Sequence, residues 1–313
     1  MQPLRRWRLG VLVASGALCA AWPASMRAHD SPEHEIASLT ARIAEGSPTS
    51  AELFARRAAE WRALGNLAKA RSDLETAIAL DGHSASLHVE LARIEAARQH
   101  YLAASNVITR GLGLSRDNME RAAVYMMRAE ILENQGLTEL ALADCERAFG
   151  ESAPAIDWYL TRARLQARCG KAGESVEGLR DGFEKTGSVV LEIEWIEAMI
   201  DAGECRQALQ QIEPHLARAR WKGAWLIRKA RAQLHLQQRS MAFENLRDAL
   251  AEIERRVSPG NADLGLLAKR GLAQALLENR DAARADLERI ECLNENPTQL
   301  STSITRLKLA LGR

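Results

Sequence analysis

Seven histidines and five cysteines are the side chains of this sequence with the ready chemistry of metal ligands or nucleophiles, so their spacing bounds what the chain can do. His29 and His34 cluster with Asp30, Glu33 and Glu35 in the stretch "HDSPEHE". An amino-terminal histidine chelates copper through its amine and imidazole, and a second imidazole completes such a site. Cleavage after Ala28 would make His29 that first residue, so metal handling is one reading of this leader. A polar, solvated leader that binds no metal is the other. His83 and His88 flank a loop–helix junction, where solvation is the expectation. His215 falls at a helix-packing place and is expected as a satisfied, partly buried imidazole. There is no HExxH, no CxxC, no phosphate-binding loop and no GxSxG in the chain. Gly111-Leu112-Gly113 reads as a loop after a helix. Together these absences point to a chain that is not an enzyme and needs no cofactor.

The N-terminus, "MQPLRRWRLGVLVASGALCAAWPASMRAHD", carries Arg5, Arg6 and Arg8, then an apolar run from Leu9 to Trp22, then Pro23 and small residues. That is the layout of a secretory signal. The run falls short of the roughly 20 residues that span a bilayer. Cleavage after Ala24 or Ala28 would send the chain to the periplasm or outside the cell, with no membrane span left. An uncleaved segment would anchor it instead. Without residues 1–28 the chain has 38 basic and 41 acidic residues, formally −3, the wrong sign for a nucleic-acid platform. Only 4% of residues are aromatic against 47% hydrophobic, so the core must be built largely of alanine and leucine, which favours helices.

What would position any site is a repeat. Units starting at Ala51, Ala85, Ala122, Ile156, Val189, Gly223 and Leu264 are spaced by 34, 37, 34, 33, 34 and 41 residues. Their eighth places hold Ala58, Ala92, Ala129, Ala163, Ile196, Ala230 and Gly271. Their twentieth places hold Ala70, Ala104, Ala141, Ser175, Ala208, Ala242 and Ala283. A larger apolar residue or a cysteine fills the twenty-fourth, from Leu74 to Leu287, and Gly65, Gly136, Gly170 and Gly203 recur at the fifteenth. Each unit holds two helical runs with a break at that glycine, where a left-handed turn ends the first helix. Small residues at the eighth and twentieth places let the two helices cross closely. Neither helix pair buries its apolar face alone, so the units must stack.

This pattern resembles the tetratricopeptide repeat. The resemblance implies an all-α, right-handed α-solenoid of about seven helix-turn-helix repeats. The organisation expected is a signal over 1–28, a leader and capping helix over 29–50, the repeat array over 51–297 and a C-terminal capping helix over 298–313. Met119–Arg121 and about Val257–Asp263 are surplus to the period and are expected as loops or helix extensions, with Pro259-Gly260 breaking the second. Cys169 and Cys205, near the turn edges of adjacent units, could bridge only if their α carbons come within about 7 Å.

In this family the first helices line a concave groove that holds a protein or peptide. By that resemblance the groove carries Arg62, Arg93, Glu130, Arg164, Arg168, Glu197, Asp201 and Arg231, with Met126, Leu160, Ile193 and Ile227 as apolar anchors. Charges of alternating sign at the ninth place (Arg93, Glu130, Arg164, Glu197, Arg231) are expected to pair along the groove. The chain reads as an exported interaction scaffold, with copper handling by the leader as the alternative.

Overall fold

A computed structural model of the chain describes residues 31–46, 50–257, 263–293 and 301–312. The signal segment, His29, Pro48 and Pro259-Gly260 lie outside the described residues. Every regular element among the described residues is a helix, and none is long and apolar enough to cross a membrane.

The chain divides into two compact bodies, one ending at Gly82 and one beginning at His83. The first holds α1 (Pro32–Ala44), α2 (Ser50–Ala63) and α3 (Leu67–Leu80). The second holds α4 (Ala85–Ala97), α5 (Tyr101–Leu114), α6 (Asn118–Asn134), α7 (Thr138–Glu151), α8 (Ile156–Arg168) and α9 (Ala172–Thr186). It continues with α10 (Val189–Asp201), α11 (Cys205–Arg218), α12 (Gly223–His235), α13 (Arg239–Glu254), α14 (Leu264–Leu276), α15 (Arg280–Leu293) and α16 (Ser301–Ala310). From α2 to α15 the helices alternate as first and second members of the seven repeats. Within the second body each pair packs on itself and on the next pair, and the first helices α8, α10, α12 and α14 touch in succession.

The register explains the packing. All the eighth-, twentieth- and twenty-fourth-place residues are buried, Gly271 and Ser175 included. The shorter surplus, Met119–Arg121, became helix. α6 starts early because Asp117 caps it, its carboxylate accepting from Glu120 N at 2.8 Å, while Glu120 accepts from Arg116 N at 2.8 Å.

The fifteenth place is left-handed in every repeat. Gly65, Gly136, Gly170 and Gly203 have φ of 74°, 77°, 75° and 84°, and the non-glycine residues at the same place, Gln99, Gln237 and Glu278, have 63°, 61° and 69°. Nothing stands within 4 Å of a Cβ built on Gly136, so torsion, not crowding, selects glycine there. A side chain in this conformation costs about 1–2 kcal/mol, of which glycine's extra unfolded-state entropy gives back part. Gln237→Gly is therefore expected to stabilise the protein by about 0.5–1 kcal/mol. A urea midpoint that does not rise would show that the glutamine contributes compensating contacts.

A second repeated device joins the two helices of a pair. Arg57 grips Asp73 through Nε and Nη2 at 2.8 and 2.7 Å, Arg128 grips Asp144 at 2.5 and 2.8 Å, and Arg270 grips Asp286 in the same two-pronged way. All three are a seventh-place arginine and a twenty-third-place aspartate. In the fourth repeat Arg162 faces Gly178 and lies instead over the Phe149 ring, 3.8 Å from its centroid.

Three expectations need correction or completion. His88 is buried, not solvated, with Nδ1 3.0 Å from Ser84 O, because α4 turns that face into the core. Cys169 and Cys205 are free thiols, Cys205 buried in the core and Cys169 half-buried. Cys145 is free as well, and burial pushes its thiol up to about 12, which leaves it inert. His215 does sit satisfied: its ring stacks on Trp225 at 4.2 Å and its Nε2 is 3.1 Å from Glu192 Oε1.

Candidate functional site

The first helices of the fourth and fifth repeats, with α9 and α16, line a cleft of about 780 Å³. The repeat spacing creates its floor. Ala163 and Ala198 are small enough to leave depth, and Leu160, Leu179 and Val190 line it with apolar surface. Its rim is charged: Arg164 and Arg168 from α8, Glu194 and Asp201 from α10, Arg306 from α16. Arg164 and Arg168, one helical turn apart, both reach Glu133 on α6, each at 2.8 Å. Roughly half of each arginine stays exposed (56% and 46%), so donors remain free to meet a ligand.

Beside the cleft lies a small cavity of about 60 Å³ between α10, α12, α14 and α16. Its centre is Glu197, 4% exposed. Arg228 Nε stands 2.9 Å from Glu197 Oε1, Arg231 hydrogen-bonds the other oxygen and also Asp201, and Arg306 is 3.6 Å away. Burial opposes the charge on Glu197, but Arg231, Arg306 and Arg228 together hold its carboxyl below the usual carboxylate value. Glu194 is pushed the other way, upward, by burial that Arg306 only partly offsets and Glu197 reinforces. Lys269 lines the same cavity, and burial lowers its ammonium.

The structure gathers some of the residues expected in the groove and not others. Leu160, Arg164, Arg168 and Asp201 line the cleft, and Glu197, Ile227 and Arg231 line the small cavity. Met126 and Ile227 are corrected from exposed anchors to core residues, 6% and 4% exposed, because their apolar side chains pack into the clusters between successive repeats. Ile193 is half-buried and lines neither cavity. Arg62, on the last turn of α2, is exposed in the first body. His34 is exposed near the start of α1, and no three ligating side chains gather as a metal site among the described residues.

The expected charge ladder forms only in part. Glu197 pairs with Arg231 as foreseen. Arg164 chooses Glu133, and Arg93 turns to Glu90 on its own helix. Glu130 has its carboxyl raised by desolvation, against the pull of Arg93 and Arg164 and with Asp157 and Glu133 adding to the rise. The residues that sequence reasoning missed are those of α16, together with Glu194, Arg228 and Lys269.

No protein-family model and no curated protein matches the chain. Solved structures do. A tetratricopeptide repeat protein from Parabacteroides merdae is 15% identical, with a TM-score of 0.57 over 82% of this chain and 98% of that one. The C-terminal part of a TPR repeat-containing protein from Cytophaga hutchinsonii is 18% identical, with a TM-score of 0.55 over 81% of this chain and 99% of that one. With its paired helices in 34-residue register, its small residues at the crossings and its left-handed fifteenth place, the chain has the tetratricopeptide-repeat fold.

Proposed function

We propose that the chain is a non-enzymatic interaction scaffold, and that the cleft between α8, α10 and α16 receives a protein or peptide segment. The observation that carries this reading is the cleft itself: an apolar floor about 780 Å³ in volume, rimmed by charges of both signs. Buried apolar anchors supply affinity in such a site, and the rim charges set register and orientation. Arg164 and Arg168 offer free donors at one edge, and Glu194 and Asp201 offer carboxylates at the other. The N-terminal segment is proposed to direct the chain to the periplasm or beyond, where the partner would be met.

A photo-reactive residue at Ala167, on the wall of the cleft, is expected to give discrete cross-linked protein products in cells. The same residue at Leu140, exposed on α7, should not give them. Arg164→Glu should abolish the Ala167 products without unfolding the chain. Identical products from both positions, or none from Ala167, would overturn the reading. Sequencing the N-terminus of the exported chain tests the leader, with a start at Ser25 or His29 expected.

A further inference from the structure

Of the elements that precede it, a first helix of the second body ordinarily packs more on the second helix than on the first helix of the repeat before, as α14 packs more on α13 than on α12. α16 departs from that rule. It packs chiefly on α14, itself a first helix, and only lightly on α15. Its Arg306 reaches back to α10, 3.6 Å from Glu194 Oε2 and 3.6 Å from Glu197 Oε1. Ser303 and Arg306 close the small cavity, while Thr302, Thr305 and Leu309 wall the large cleft. α16 thus lies across the face of the first helices, where the segment of a partner would lie.

Its seat is specific. Leu307 and Leu311 are buried in a cluster with Leu267 and Leu287. Gly271 occupies an eighth place that is alanine in five other repeats and isoleucine in one. A Cβ there would stand 2.9 Å from Leu307 Cδ2, so the missing methyl is the socket for that leucine. The hold is also incomplete. Both distances from Arg306 exceed hydrogen-bond length. Ten residues are too few for a helix to persist undocked in water. Leu309 stays 68% exposed over the cleft.

We propose that α16 is an internal ligand of the first-helix face, seated where a partner helix binds and displaced by an amphipathic helical segment of its own chemistry. That segment carries apolar side chains at i, i+3 and i+7, as Ile304, Leu307 and Leu311 do, and an arginine at i+2 for Glu194 and Glu197. The proposal rests on the reading of this face as a binding surface and adds to it the class of ligand and its competitor.

Hydrogen exchange on the full chain tests displacement with no partner present, so its outcome is separate from that of the cross-linking. Arg306→Glu sets a third carboxylate against Glu194 and Glu197, and is expected to speed exchange of the α16 amides at least tenfold while the α10 amides keep their protection. Leu307→Ala should release α16 by emptying the leucine socket at Gly271 while leaving the seat intact, and it replaces Arg306→Glu as the test if that variant also loosens α10. A labelled peptide of residues 301–312 should bind the releasing variant at least tenfold more tightly than it binds the unaltered chain. The same peptide carrying Arg306→Glu should fail to bind. If both variants leave α16 exchange unchanged, α16 is a fixed cap and the proposal falls. It falls equally if α16 is released and the peptide binds no better.

Discussion

Replacing Glu197 by alanine is expected to cost about 3 kcal/mol of stability at neutral pH, because it leaves buried cations facing one another. The Arg228 and Arg231 side chains are only 16% and 13% exposed, and Arg306 is 19% exposed. Asp201 still accepts from Arg231, but Arg228 and Arg306 lose the oxygen they share. Glu197→Gln keeps the shape and one acceptor, and should lose less. The pH dependence has a definite sign. The folded carboxyl is held below its ordinary value near 4.5, so the stabilisation is complete above that value and declines as pH falls through the lower, folded one. Glu194 works in the opposite direction. Its carboxyl is raised, so acidification relieves the cost of keeping it charged and softens the net acid loss of the unaltered protein. Urea unfolding of Glu197→Ala and the unaltered chain at pH 7 and pH 3 checks this. The gap between the two should be wide at neutrality and narrow in acid; a gap below about 1 kcal/mol at pH 7 would mean that the arginines are solvated well enough without their carboxylate.

The fold was legible because close packing leaves few choices. Two helices can cross at Ala163 and Ser175 only if both places are small, and a left-handed turn recurs at one place whether glycine or Gln237 fills it. The site was legible only where backbone register decides it, as with Leu160, Arg164 and Asp201. Side-chain pairing is a different matter. Glu130 and Glu133 lie one turn apart on α6, and which of them Arg164 takes depends on rotamers and on an axial offset of a few ångströms between helices. Spacing alone carries neither. Nor did it reveal where α16, foreseen as a capping helix, would pack. The tail has the apolar pattern of one more capping helix, and its return across the first helices depends on a single absent methyl at Gly271 meeting Leu307. The arginine–aspartate grips were readable at the seventh and twenty-third places, but a search for exposed groove charges passes over pairs that lie between the helices of a repeat.

Those grips make the second large effect. Asp286 is 5% exposed and Arg270 24% exposed, and among the described residues no other ion pair or hydrogen bond is seen at the Asp286 carboxylate. Arg270→Ala should therefore cost about 3 kcal/mol, the usual consequence of stranding a buried charge, and much of this loss is the stranded aspartate rather than the value of the pair. The two can be separated. Arg270→Met with Asp286→Leu removes both charges and keeps apolar volume at the helix crossing, and should recover most of the loss or exceed the original stability. Its melting midpoint against those of the two single variants gives the coupling directly. A double variant as unstable as Arg270→Ala would mean that the grip holds the two helices in register through its paired geometry. In that case the three repeats that carry it, and not those that lack it, would set the pitch of the helix pairs.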